Sequence, residues 1–148
     1  MLTAFATTVL LGLTSGAAPE AAATAGRATL RVSVDGARTD AGTIQCALFD
    51  KAEGFPRGRD QAKARASVSL QKGAAACEFK DLEPGTYAVS VFHDENGNGA
   101  LDLGVLGIPK EGIGYSNIPP KRAPPPPFEQ AAQKLAAGET AITVKLQY

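Results

Sequence analysis

The sequence predicts an all-β fold, a sandwich of about seven strands with one long Gly/Pro-rich loop. Three observations carry that reading: apolar residues recur with period two, the runs are short, and Gly, Pro and Asp separate them. Alternation buries one face of a sheet and leaves the other in water, and several such runs close most simply as two packed sheets.

The runs follow in order. Leu30, Val32 and Val34 alternate with Arg31 and Ser33, and Asp35-Gly36 closes that strand. Ile44, Cys46 and Leu48 alternate with Gln45 and Ala47 and end in Phe49. The segment Phe55–Ala66 is charged, without an apolar stripe, and reads as a surface connection with a helical turn over Asp60–Ala66. Val68 with Leu70, and Cys77 with Phe79, form two shorter runs. Glu83-Pro84-Gly85-Thr86 suits a type II turn, with Pro fixing φ at its second position and Gly taking φ > 0 at its third. Tyr87, Val89 and Val91 then alternate with Ala88 and Ser90, and Ile142, Val144 and Leu146 close the chain's pattern. Phe128–Leu135 is ambiguous: Phe128, Ala131, Ala132 and Leu135 fit a helical stripe, but the position before a final strand favours a strand.

Between Phe92 and Phe128 alternation disappears, and seven of the ten prolines fall there. A loop this long inside a compact domain is usually functional or disordered. Its apolar residues Leu101, Leu103, Val105, Leu106, Ile108, Ile113 and Tyr115 predict that it folds back onto the sandwich. Pro124–Pro127 should be extended polyproline II, a spacer returning the chain to the sheet.

At 148 residues the chain holds one domain, expected over 28–148, plus a leader over 1–27. In the leader, Val9–Leu13 is a short apolar core and Ser15–Ala18 offers small residues for cleavage, although no Lys or Arg precedes Arg27. A signal peptide would place the mature protein in the periplasm or outside the cell; the alternative for 1–27 is a disordered Ala-rich leader. Cys46 and Cys77 fit that compartment as a disulfide, which would close a loop of about thirty residues. The alternative is a pair of buried free thiols. Fifteen basic and fifteen acidic residues cancel, so no basic footprint for nucleic acid arises, and no long apolar stretch predicts a membrane span in the mature form.

The sharpest local signal is Asp94-Glu95-Asn96-Gly97-Asn98-Gly99-Ala100-Leu101-Asp102. Oxygen-bearing side chains at Asp94, Asn96, Asn98 and Asp102, a glycine at Gly99 and the carbonyl of Ala100 follow the opening of an EF-hand-like Ca²⁺ loop. Hard oxygens suit Ca²⁺ rather than a transition metal. The twelfth position is Val105, so the usual bidentate Glu is missing, and Glu95 or Glu111 would have to supply it. The competing reading is an Asx-rich turn that caps its own backbone.

His93, the sole histidine, lies at a strand end; Glu111, Tyr115 and Asn117 complete a candidate recognition loop for a protein or glycan. No nucleophile elbow, P-loop or dinucleotide fingerprint occurs, so no enzyme is expected. Two rival readings remain: a hydrolase using His93 and loop carboxylates, and a carbohydrate-binding module stacking sugars on Phe92, Tyr115 and Phe128.

Taken together, Leu82-Glu83-Pro84-Gly85-Thr86-Tyr87-Ala88-Val89, Phe92–Gly99 with Leu101-Asp102, Leu106–Gly112 and Gly114-Tyr115-Ser116-Asn117 resemble the bacterial family called domain of unknown function 2141, over roughly Leu30 to Tyr148. The Leu-x-Pro-Gly-x-Tyr segment also resembles the strand entry of prealbumin-like (transthyretin-like) sandwiches, including collagen-adhesin B-type repeats. That resemblance implies a Greek-key sandwich with Tyr87 at a corner, a strand at Ala131–Leu135, and calcium at Asp94, Asn96, Asn98 and Asp102.

Overall fold

The computed structural model describes residues 26–119 and 124–148. The predicted signal peptide lies almost wholly outside the described residues. Eight strands form two sheets. They are β1 (Ala28–Asp35), β2 (Thr43–Phe49), β3 (Ala64–Ser69), β4 (Ala75–Leu82), β5 (Gly85–Asp94), β6 (Ile113–Tyr115), β7 (Gln133–Leu135) and β8 (Gly138–Lys145). The smaller sheet runs β4-β1-β8, with β1 antiparallel to β4 and parallel to β8. The larger runs β3-β2-β5-β6, all antiparallel, and β7 pairs with the start of β5.

The alternating residues do what their period dictates. Leu30, Val32 and Val34 of β1, Cys77 and Phe79 of β4 and Val144 of β8 meet Ile44, Cys46 and Leu48 of β2 and Tyr87, Val89 and Val91 of β5 in one buried cluster between the sheets. Cys46 and Cys77 are bonded across that interior, joining the larger sheet to the smaller one. Cross-linking residues 31 apart in sequence removes unfolded-chain entropy equivalent to about 3 kcal/mol.

The strand β5 is buried on both faces, from Tyr87 through Asp94. Its second face, with Ala88, carries a smaller cluster in which Tyr115 and Ala131 are buried and Phe55, Ile113 and Phe128 pack alongside. Phe55 meets Phe49, Tyr115 and Phe128 edge-on. Two connecting segments therefore serve as a cover over the larger sheet.

Several local expectations change. The charged stretch Phe55–Ala66 holds only a short 3₁₀ turn at Arg59–Gln61, and its end is already β3, paired with β2 from Ala64. Phe128–Leu135 is both things it suggested: a four-residue helix, α1 (Phe128–Ala131), followed by β7. The type II turn before β5 does not form. Gly85 begins the strand and is absent from the positive-φ positions, while Asp81 takes φ 56°. Tyr87 sits buried at that corner, and its hydroxyl donates to the carbonyl of Glu83 at 2.7 Å.

The long excursion after β5 is more divided than its apolar content predicted. Tyr115 is buried and Ile113 half-buried, but Leu103, Val105, Leu106 and Ile108 stand exposed, Leu106 at 93%. They belong to a small hairpin closed by the Leu103–Pro109 bridge, which leaves their side chains largely in solvent.

Candidate functional site

The Asp94 loop grows from the end of β5. Asp94 is itself buried, and its carboxylate accepts the backbone N–H of Asn98 at 3.1 Å and of Gly99 at 2.8 Å, so the chain wraps around it. Gly97 and Gly99 take φ 72° and 77°, the left-handed conformations this wrap requires. Asn96 Oδ1 accepts the N–H of Asn98, and Asn98 Oδ1 accepts the N–H of Ala100, each two residues on. The amide groups of Asn96 and Asn98 both donate to the carboxylate of Asp102. Four of the sequence-predicted ligand side chains thus meet in one turn.

Glu111 enters from across the excursion. Buried, it accepts the N–H of Glu95 and the N–H of Asp102, both at 3.0 Å, and so ties the two ends of the loop together. Glu95 turns the other way and forms a two-pronged ion pair with Arg38 at 2.7 and 3.0 Å. That pairing holds the Arg38 guanidinium above its ordinary pKa. Neither Glu supplies a free carboxylate at the turn. Among the described residues no three His, Cys, Asp or Glu side chains group as a metal set. A cation here would rely on the two aspartates together with amide and carbonyl oxygens.

His93 is 0% exposed and lies directly beneath the loop. Its Nε2 is 2.7 Å from the carbonyl of Ala41, which can only accept, so Nε2 carries the hydrogen. Nδ1 lies 2.7 Å from the hydroxyl of Tyr148. That oxygen accepts the N–H of Arg38 and keeps its own hydrogen to donate to Nδ1. Arg38 also stacks 4.4 Å over the Tyr148 ring. Burial pushes the Tyr148 hydroxyl above its ordinary pKa. Gly42, at φ 74°, lets the strand entry approach this frame, because a methyl group there would overlap the carbonyl of Asp94.

The predicted recognition residues therefore separate. His93 and Glu111 are internal struts, with no surface to offer a partner. Tyr115 packs under Phe55 and Ile113, and burial raises its pKa. Asn117 is exposed in a left-handed conformation, φ 57°, with its amide against the carbonyl of Gln130. Ser116 is fully buried; its hydroxyl accepts from Val89 and donates to Ala131, pinning β5 to the end of α1. The proposed sugar platform does not assemble, since Phe92 lies under Arg59 while Phe128 turns edge-on to Phe55.

Sequence reasoning missed Arg38, Ala41 and Tyr148. None has a local motif or lies in a strand; Arg38 and Ala41 come from the β1–β2 connection and Tyr148 from beyond β8, separated from His93 by 55 positions.

Compared with known proteins, residues 32–143 match the sequence model of a family described as an uncharacterised protein conserved in bacteria, DUF2141. No curated protein and no solved structure matches the chain.

Proposed function

The chain belongs to the DUF2141 family of bacterial proteins, and from that premise we propose that it is an exported, non-catalytic binding or structural module whose Asp94–Asp102 loop takes up Ca²⁺. The observation that carries the reading is the convergence of Asn96 and Asn98 on the carboxylate of Asp102, around a turn wound on the buried Asp94. The two amide groups now sit where positive charge is favoured. For a hard cation to take over their role beside Asp102, each amide would turn its oxygen inward and release the backbone N–H, of Asn98 or of Ala100, that this oxygen now accepts. Asp94, Asn96, Asn98, Asp102 and the Ala100 carbonyl would hold such an ion. Two carboxylates rather than three or more imply weak binding, in the range of about 10⁻⁴–10⁻³ M.

Export is supported by the Cys46–Cys77 bond, which persists in oxidising compartments. The absence of catalysis is supported by how the polar side chains are used. Both ring nitrogens of His93 are engaged out of solvent, and Asp94 and Glu111 direct their oxygens at backbone N–H groups. A hydrolase through these residues would need them to face a common cleft within reach of substrate.

The test is thermal melting in EDTA and in millimolar CaCl₂. Calcium at ten times its Kd should stabilise the fold by about 1.4 kcal/mol, and Asp102→Asn should abolish the shift. An unchanged midpoint in calcium would remove the metal from this reading.

A further inference from the structure

A second feature lies on the outer face of the larger sheet and takes one of its walls from the far end of the Asp94 loop. The segment Pro56–Arg59 forms one wall and Gly99, Ala100, Leu101 and Leu103 the other, over a floor of Phe92, Ile113 and Tyr115. The cleft between them encloses about 470 Å³, within the range of small-molecule sites. The floor is fixed by strand pairing: Phe92 faces Ile113 and Ser90 faces Tyr115 across β5 and β6. The wall is fixed to the floor by the Ser90 hydroxyl, which donates to the carbonyl of Pro56 at 2.9 Å.

Three arginines, Arg57, Arg59 and Arg65, line this cleft, and Asp60 is the single acidic residue on its wall. Asp60 is fully exposed and reaches only Arg65, at 3.5 Å. A contact of that kind contributes little in water. Arg57 makes no ion pair among the described residues. Arg59 is half-buried, oriented by a bond to Gln45 at 3.1 Å and by stacking 5.1 Å over Phe92. Burial, first, and then the like charge of Arg65 lower its pKa, against the opposing pull of Asp94 and Asp60. Planar guanidinium groups match carboxylate and related oxyanions with paired N–H donors. The opposite wall offers the apolar side chains of Leu101 and Leu103.

We propose that this cleft binds a small organic anion, with its oxyanion head held by Arg57, Arg59 and Arg65 and a flat apolar body between Leu101, Leu103 and the Tyr115–Ile113 floor. The inference does not rest on calcium. Free inorganic phosphate would satisfy the arginines but leave the apolar walls unused, so the two ligand types are separable.

The probe is naphthalene-2-carboxylate, titrated into ¹⁵N-labelled protein in EDTA, with naphthalene-2-carboxamide and inorganic phosphate as comparisons. The carboxylate should bind at least tenfold more tightly than either and shift the amides of Ser90, Phe92 and Tyr115. Arg57→Gln, an exposed change that removes no bond within the fold, should weaken it at least fivefold with the melting temperature unchanged. Arg59→Gln should weaken it further. Equal binding of the carboxamide or of phosphate, indifference to Arg57→Gln, or absence of binding would each overturn the proposal. Because the loop supplies one wall, the titration is repeated in millimolar CaCl₂: failure in both conditions overturns this proposal alone, whereas an unchanged melting midpoint in calcium overturns only the calcium reading.

Discussion

The space between the two sheets and the frame beneath the Asp94 loop are both buried, but different forces close them. Between the sheets, Leu30, Val32, Ile44, Leu48 and Val89 exclude water by area alone, and any well-shaped apolar neighbour serves. Beneath the loop, His93, Asp94 and Glu111 are buried polar groups, each of which must find a partner or cost the fold free energy. They find it in backbone groups of Ala41, Glu95, Asn98, Gly99 and Asp102 and in the hydroxyl of Tyr148. The first region tolerates substitution by volume. The second is specified atom by atom, and it holds the loop in one shape.

The largest expected effect tests the apolar side. Leu48→Ala, at a fully buried position, should destabilise by about 3 kcal/mol in chemical denaturation. A loss below about 1 kcal/mol would mean the interior is not closely packed there. Next comes the polar side: Glu111→Gln preserves volume yet replaces one acceptor oxygen with a donor facing a backbone N–H. It should cost about 2 kcal/mol and speed hydrogen exchange at Glu95 and Asp102 selectively. If the loss appeared with exchange unchanged at those two amides, the tie between the loop's ends would be disproved.

The smallest effect is expected from Tyr148→Phe, about 1 kcal/mol at neutral pH through the lost hydroxyl contacts. Its pH dependence has a definite sign. Burial raises the Tyr148 pKa in the folded state, so above about pH 10 the unfolded chain releases protons that the folded chain retains, and stability falls as pH rises. Melting temperatures between pH 8 and 11 should decline less steeply in the variant than in the parent. Equal slopes would place the hydroxyl in water.

How much of this was legible follows from the same contrast. Period-two alternation exposed β1, β2, β5 and β8 and most of the core, because each strand's burial depends on its own residue order. Two short elements, β6 and β7, escaped or stayed ambiguous, because three-residue strands carry too little pattern to outweigh Gly, Pro and helix-forming neighbours. The loop was visible as a spacing of Asp, Asn and Gly. The roles of its two glutamates were not, since spacing cannot say that Glu111 closes the loop while Glu95 turns to Arg38. The arginine cleft was present only as a charged segment; it takes the strand order β2-β5-β6 to put Phe92 and Tyr115 beneath Arg57 and Arg59.

The sequence by itself determined the all-β class, the core-facing residues of the long strands, the cysteine pair and the turn at Asp94, all of which depend on residue order over a few positions. Only the tertiary structure decided which buried polar group meets which partner, that the hairpin at Leu106 leaves its apolar side chains exposed, and where Arg57, Arg59 and Arg65 gather. Those outcomes depend on hydrogen bonds and charges acting over a few ångströms between residues that the chain separates by tens of positions.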